Sequence, residues 1–318
     1  MIVAGNGIIA ASAAAFALGL SDFALAEDPG RKPSAEIVVV IDSGVAVDHP
    51  AFQGKWLDND AVGKKLPAPM QRGDGKYWFG WDFVENDATP QDRTGHGTHV
   101  AGLLAAELGT AEAPVARLVM FRTGDKHQEL SQVAHALEMV SALRSAGWDI
   151  PVILCAFDYR KSPADGDAYD RFASALGKLL DSGVLCVCAA GNSGLNLDSP
   201  SNNEVQYQAV LRHRNMITVT ACSDEGQLLA TSNYSGNTVL LASPGLAASS
   251  ATPDGKMAGL SGSSQAAARV AGRLARQASV PGYRQPGKLR EWLLQNVRQH
   301  PSLVGRVGSA GFLPAKVD

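Results

Sequence analysis

The chain has 318 residues, enough to bury a sizeable core in one large domain or two small ones. Hydrophobic residues make up 45% of it and charged residues 19%, which is the composition of a globular protein and not of a disordered one. The net charge of −3 gives no electrostatic reason to expect a nucleic acid or an anionic membrane as a partner.

Residues 1–34 are predicted to form an N-terminal segment separate from the rest of the chain. Residues 1–21 carry no charge and include an apolar stretch from Ile8 to Leu20, after which Ala24-Leu25-Ala26 follows. This pattern is typical of a secretory signal peptide, although no Lys or Arg precedes the apolar stretch. The alternatives are a short membrane anchor, a packed helix and, from the glycine pattern of residues 5–10, a dinucleotide-binding turn. The protein is therefore expected to be secreted or periplasmic if residues 1–26 are a signal peptide, and cytoplasmic otherwise.

From residue 36 onward, short apolar runs alternate with segments of helical periodicity, which predicts βαβ units and a mostly parallel sheet. The predicted strands are Ile37–Ile41, Leu118–Phe121, Val152–Phe157, Val184–Ala190 and Ile217–Ala221. The predicted helices include Val133–Leu143, Phe172–Leu180 and Ala266–Gln277. Because no linker interrupts this alternation, residues 35–318 are predicted to form one domain.

Three motifs surround an Asp, a His and a Ser in that chain order. They are Val38-Val39-Val40-Ile41-Asp42-Ser43-Gly44, Gly95-His96-Gly97-Thr98-His99 and Gly262-Ser263-Ser264-Gln265-Ala266. Asp42 ends an apolar strand, where an unpaired carboxylate is costly to bury. His96 lies between glycines, which lets its ring face a cleft, and Ser264 starts a helix, where free N–H groups favour negative charge. Taken singly, Asp42 could simply begin a turn and Ser264 could simply cap a helix.

Together these motifs resemble the subtilisin-like serine proteases (subtilases), which carry Asp, His and Ser in this order. The resemblance covers about residues 35–318 and implies a three-layer α/β fold with a mostly parallel central sheet flanked by helices. It further implies that Asp42 orients His96, that His96 is the general base and that Ser264 is the nucleophile. In the family the serine stands eight residues before the glycine of a Val-Ala-Gly triplet, here Gly272, and only Ser264 fits that spacing.

The resemblance also assigns an oxyanion donor and a substrate cleft. Asn192 follows an apolar strand and an Ala-Gly pair, as does the family's asparagine, whose side-chain amide donates to the oxyanion. The segment Ala156-Phe157-Asp158 and the pair Ala190-Gly191 are expected to bind an extended polypeptide, which would add as a strand along the cleft. Asp158 stands where the family usually has a glycine beside the S1 pocket. We expect it to disfavour large apolar P1 side chains, unless it points to solvent.

No cofactor or metal is predicted. His99 follows His96 by three residues without the His-Glu-x-x-His spacing of zinc helices, so we interpret it as a packed helical histidine. Calcium is not predicted, because only the short run Glu107–Pro114 stands where many secreted relatives carry a calcium loop. The four cysteines lie inside apolar strands and are predicted to be buried free thiols; they are Cys155, Cys186, Cys188 and Cys222.

The sequence therefore predicts a serine endopeptidase that works through a Ser-His-Asp triad and an acyl-enzyme. One alternative is a specialised peptide-maturation protease or macrocyclase that resolves the same acyl-enzyme with an amine. Another is a catalytically silent subtilase-like domain that binds peptide without cutting it. The expected partner is an extended polypeptide, with no nucleic acid, and with no membrane unless the N-terminal segment is an anchor.

Overall fold

The computed structural model describes residues 36–59, 77–157, 166–199 and 212–316. The predictions for the N-terminal segment and for Asp158 concern residues outside these ranges. All of the described residues belong to one compact unit, which spans 33–318. In this part of the chain, no helix is long and apolar enough to cross a membrane.

A nine-stranded sheet runs through the middle of this unit, and two small two-stranded sheets accompany it. The strands are β1 (Ile37–Asp42), β2 (Leu57–Asp58), β3 (Tyr77–Trp78), β4 (Gly80–Asp82), β5 (Arg117–Arg122), β6 (Val152–Cys155), β7 (Leu185–Ala189), β8 (Met216–Cys222), β9 (Leu241–Pro244), β10 (Ala248–Ala251), β11 (Met257–Leu260), β12 (Arg298–Gln299) and β13 (Gly311–Phe312). The central sheet has the order β12-β13-β9-β8-β7-β6-β1-β5-β4 and is parallel except between β12 and β13. The mostly parallel sheet predicted from the sequence is confirmed.

Helices cover both faces of the sheet. The described helices are α1 (His96–Glu107), α2 (Leu130–Ser145), α3 (Asp167–Asp181), α4 (Ser263–Ala278) and α5 (Pro286–Gln295). Val38 and Val40 of β1 pack in one buried cluster with α1, α4 and α5, whereas Val39 and Ile41 pack in a second cluster with α2 and α3. Successive side chains of a strand point to opposite faces, so both faces of β1 are apolar and both are covered. The three-layer α/β fold is confirmed.

The strand order predicts where a functional site should lie, which is at the carboxyl ends of the central strands. β5 lies on one side of β1 and β6 on the other, so the chain reverses its direction of travel across the sheet at β1. Ligands of open parallel sheets bind outside the carboxyl ends of the strands at such a reversal. Asp42 ends β1, Ala156 follows β6, and Asn192 comes shortly after β7, all at this edge.

Several predicted boundaries differ from the structure. β6 ends at Cys155, two residues before the predicted end at Phe157. Helix α4 begins at Ser263, three residues before the predicted start at Ala266, so the proposed nucleophile lies inside its first turn. The hairpin of β10 and β11 was not predicted, because β11 is exposed along its length and Ala-Gly-rich, without an alternating apolar pattern.

Candidate active site

Asp42 and His96 form a hydrogen-bonded pair at the carboxyl edge of the sheet. Asp42 is fully buried, and the His96 side chain is 38% exposed. The Oδ1 atom of Asp42 lies 2.8 Å from Nδ1 of His96 and also accepts the Ser43 N–H at 2.7 Å. A carboxylate can only accept, so Nδ1 carries the hydrogen and Nε2 is the basic nitrogen of the ring. This is the arrangement of a base held by an orienting carboxylate.

Close backbone approach brings the two residues together. A Cβ atom added at Gly97 would lie 2.1 Å from the carbonyl oxygen of Gly44, so α1 reaches the end of β1 only because residue 97 has no side chain. The Ser43 hydroxyl joins the same two segments by accepting the Gly97 N–H at 2.9 Å. The glycine after His96 therefore serves helix–strand packing.

Asp92 holds the N-terminus of α1, and the sequence analysis did not single it out. Its Oδ1 accepts the N–H groups of Thr94 and Gly95, both at 2.9 Å, and its Oδ2 accepts the Thr98 N–H at 2.8 Å. The Ser43 hydroxyl adds a further bond to Oδ1 at 3.1 Å. A buried carboxylate at this position satisfies the free N–H groups of the first turn and opposes the positive end of the helix dipole. Asp92 thus fixes the turn that presents His96.

Ser264 is the second residue of α4 and contacts Ala156, the residue directly after β6. Its hydroxyl donates to the carbonyl oxygen of Ala156 at 2.6 Å. The residue is almost fully buried, and it stands in the first turn of a 16-residue helix, where the partial positive charge of the helix is greatest. The structure therefore places the proposed nucleophile beside the end of β6 and at the positive end of a helix dipole.

The Asn192 amide is locked to the start of the same helix. Its Oδ1 accepts both the N–H of Ser263 at 2.8 Å and the hydroxyl of Ser263 at 3.1 Å. The Ser263 hydroxyl in turn accepts the Gly191 N–H at 3.0 Å. With Oδ1 committed to Ser263, the NH₂ group of Asn192 remains as the donor. A Cβ atom at Gly262 would lie only 3.2 Å from that nitrogen, so the amide packs against the turn before Ser264.

A second asparagine, Asn233, holds the loop that carries Asn192. Asn233 is fully buried, and its Nδ2 donates to the carbonyl of Ala190 at 2.9 Å while its N–H donates to the carbonyl of Gly191 at 2.9 Å. Its Oδ1 accepts the N–H groups of Ser193 and Leu195 at 3.0 and 2.9 Å. These four bonds pair backbone groups on both sides of Asn192, from Ala190 to Leu195. In the sequence, Asn233 gives no signal beyond that of an ordinary loop residue.

Comparison with known proteins decides the family. The profile of the subtilase family (peptidase S8) matches residues 34–310, which is most of the chain. The chain belongs to the subtilase family. Its resemblance to subtilases, inferred from three short motifs, is confirmed.

Relatives and solved structures agree with this assignment. The chain is 30% identical over 259 residues to a thermophilic serine proteinase of Bacillus sp. (strain AK1), covering 79% of this chain and 54% of that protein. It is 30% identical over 253 residues to thermitase of Thermoactinomyces vulgaris, covering 78% of this chain and 75% of thermitase. The chain thus spans about half the length of the Bacillus relative. The crystal structure of a cold adapted subtilisin-like serine proteinase superposes with a TM-score of 0.65 at 24% identity, covering 92% of this chain and 95% of the other, and shows the shared fold.

The residues predicted to bind substrate divide between two environments. Ala156 is buried in the cluster beneath α1 and α4, and its carbonyl accepts the Ser264 hydroxyl. Phe157 is half-buried and packs against the cluster on the α2 and α3 side. Ala190 and Gly191 are buried, and Asn233 holds their backbone. The roles of these residues in substrate binding stay predictions.

His99 is a packed structural residue in this subtilase, as predicted. It is fully buried, its Nε2 lies 3.0 Å from the carbonyl of Ala258, and its Nδ1 lies 3.5 Å from the Gln265 amide nitrogen. The carbonyl accepts, so Nε2 carries a hydrogen. Burial lowers the pKa of His99, and the neighbouring His96 lowers it further. In the described part of the chain, no group of three or more His, Cys, Asp or Glu residues could hold a metal ion.

A lysine occupies the region where many secreted subtilases carry a calcium loop. Lys55 is buried, and its Nζ donates to the carbonyl of Gly109 and, at 2.9 Å, to that of Thr110. An ammonium group in contact with two loop carbonyls is incompatible with a calcium ion at the same place, because the two positive charges would repel each other. These residues do not fit the calcium site of that loop.

Proposed function

We propose that this subtilase is a serine endopeptidase that cleaves polypeptides through an acyl-enzyme formed on Ser264. The observation that carries the proposal is the 2.8 Å contact between the buried Asp42 carboxylate and Nδ1 of the half-exposed His96. A carboxylate and an imidazole in this relation supply an oriented base, which is what a serine hydroxyl needs to become a nucleophile.

The proposed reaction has two steps, formation of the acyl-enzyme and its hydrolysis. The Ser264 oxygen bonds to the scissile carbonyl carbon while its proton passes to Nε2 of His96, and Asp42 stabilises the imidazolium that forms. The C–N bond then breaks, and His96 returns the proton to the leaving amine. Water repeats the sequence on the acyl-enzyme and releases the carboxylic acid. The Asn192 NH₂ group and the N-terminus of α4 stabilise the oxyanion in both halves.

The expected class of substrate is inferred from the carbonyl group at the carboxyl end of β6. The carbonyl of Ala156, now bonded to the Ser264 hydroxyl, is an acceptor at the end of a strand that an extended peptide could join. Such pairing uses main-chain groups and so accepts many sequences, while the side-chain pockets set the preference. We therefore propose extended polypeptide segments as the substrate class.

A fluorophosphonate probe tests the proposal directly. The wild-type protein should be labelled, Ser264→Ala should not be, and the control Ser261→Ala should be labelled normally, because Ser261 is an exposed serine of the same turn. Replacing Ser264 or His96 with Ala should lower kcat by several orders of magnitude, and the double variant should be little worse than either single one. Additive losses would show that the nucleophile or the base is a different residue.

Product analysis separates the alternatives. Peptide products with free carboxyl termini support hydrolysis, whereas cyclic or amine-linked products indicate a macrocyclase. A labelled protein that forms neither product is a peptide-binding subtilase domain, and that outcome would refute the proposed activity.

A further inference from the structure

A cleft of about 730 Å³ opens at the amino-terminal edge of the central sheet. Met216, which begins β8, and Leu240, which directly precedes β9, line it. The candidate active site lies at the carboxyl edge instead. Strand β8 has seven residues, so at about 3.3 Å per residue the two sites lie roughly 20 Å apart. The cleft is therefore separate from the proposed catalytic centre.

The polar part of the cleft is strongly basic. Arg212, Arg214, Arg290 and His213 line it, and none of the described residues along its wall is Asp or Glu. Of these four, His213 is already occupied, because its Nδ1 accepts the Asn215 N–H at 3.1 Å and its Nε2 lies 3.2 Å from Asp181. The three arginines therefore provide the positive charge that is open to a ligand.

Arg290 is half-buried, and no carboxylate among the described residues pairs with it. Its Nη1 lies 3.3 Å from the carbonyl of Arg214 and 3.5 Å from that of Met216, and it takes part in none of the ion pairs among the described residues. Burial lowers its pKa. A guanidinium has five N–H donors, so most of them remain unused, and a partly desolvated cation is favoured by a bound anion. Asp198 lies near Arg212, but it already accepts hydrogen bonds from Ser235 and Asn237.

The remaining wall combines polar and apolar residues. Asn237, Thr238, Gln299 and Ser309 contribute polar groups, and Met216, Leu240, Leu294 and Val297 contribute apolar side chains. A volume of this size suits one small organic molecule. The apolar side chains favour an anion that carries an apolar group over a purely inorganic anion, which would leave them exposed to water.

We propose that this cleft binds an organic carboxylate with an apolar body. The planar fork of Arg290 would hold the carboxylate through paired hydrogen bonds, with Arg212 and Arg214 at the rim. The apolar body would lie against Met216, Leu240 and Leu294. Both a free amphiphile such as a fatty acid and a peptide C-terminus with an apolar side chain have this chemistry.

Calorimetric titration of the Ser264→Ala protein, which cannot consume a peptide, tests the proposal. Decanoate and acetyl-Leu-Leu with a free carboxylate are the two probes, and their relative affinity shows which source fits. Decanol and acetyl-Leu-Leu-amide are the matched neutral probes. We expect at least one carboxylate to bind about tenfold or more tightly than its neutral counterpart, as removal of a charged hydrogen bond predicts. Equal binding of carboxylates and neutral probes, or no binding of either carboxylate, would overturn the proposal.

Variants locate the site. Arg290→Gln should weaken binding of the carboxylate about tenfold, whereas Arg276→Gln removes an exposed arginine of the neighbouring α4 outside the cleft and should change nothing. Because Arg290 also bonds backbone carbonyls, the double variant Arg212→Gln/Arg214→Gln gives a second test at two exposed positions. It should weaken binding several-fold and reduce the dependence of affinity on salt. Equal losses in Arg276→Gln and Arg290→Gln would show that net charge, and not this cleft, attracts the ligand.

Discussion

Replacing Ser263 with Ala removes a hydroxyl that holds the loop carrying Gly191 and Asn192, and it leaves the proposed catalytic residues unchanged. The Ser263 hydroxyl accepts the buried N–H of Gly191 and donates to Oδ1 of Asn192. Without it, Gly191 keeps a buried donor that has lost this acceptor, which costs about 1–3 kcal/mol. The Ser263 N–H still holds Oδ1 at 2.8 Å, so the Asn192 amide keeps most of its orientation.

We therefore expect Ser263→Ala to lower the free energy of unfolding by about 1–3 kcal/mol and kcat by about tenfold or less. Asn192→Ala, which removes the donor itself, should lower kcat by about 10²–10³ with KM nearly unchanged. Urea unfolding on the Ser264→Ala background and peptide hydrolysis on the active background measure the two effects separately.

Two further variants make this experiment decisive. Ser263→Thr retains the hydroxyl and should behave almost as the wild type. Ser261→Ala removes an exposed hydroxyl that accepts the Ala247 N–H, and water can replace that bond, so it should change little. A loss of kcat in Ser263→Ala as large as that in Asn192→Ala would refute the reasoning, as would unchanged stability.

Four other outcomes are expected. EDTA should leave the melting temperature unchanged, because Lys55 holds the Gly109–Thr110 carbonyls, and a large drop would reveal a structural metal. Burial lowers the pKa of His99, so the unfolded chain binds a proton at this residue more readily than the folded chain does, and stability should fall as the pH drops below about 6.5. In urea titrations, the stability of a His99→Gln variant should depend less on pH. An identical pH dependence in the variant would exclude His99 as the cause. Thiol titration under denaturing, non-reducing conditions should count four thiols, because all four cysteines are buried and free, and a count of two or zero would indicate disulfides. A P1-scanning peptide library should distinguish wild type from Asp158→Gly by a gain of large apolar P1 residues in the variant, and identical profiles would place Asp158 outside the pocket.

The sequence predicted the contact between Asp42 and His96, but not the residues that hold the segments of the candidate site together. Asp42, His96 and Ser264 lie in short motifs where local order already restricts the conformation, and the apolar strand before Asp42 shows that its carboxylate is buried. Ser263 and Asn233 act through contacts 71 and 43 residues away in the chain. Serine and asparagine are common in loops, so their presence in the sequence gives no information about such distant partners.

Strand ends were the least predictable feature of the fold. The apolar run from Val152 to Phe157 suggests one continuous strand, yet pairing with β7 stops at Cys155 and Phe157 packs on the opposite face from Ala156. Hydrophobicity reports burial, whereas the end of a strand depends on where its neighbours in the sheet end, and those neighbours are fixed only by the tertiary fold.

The residues of the candidate site come from segments that are far apart in the sequence, and this affects when the site can form during synthesis. Asp42 and His96 are 54 residues apart, and Ala156 and Ser264 are 108 residues apart. Contacts between such remote segments form slowly and late, because long loops must close before they are stabilised. Translation must proceed past Ser264 before these segments can meet. Whatever chemistry the site supports is therefore acquired only when its most distant segments have folded together.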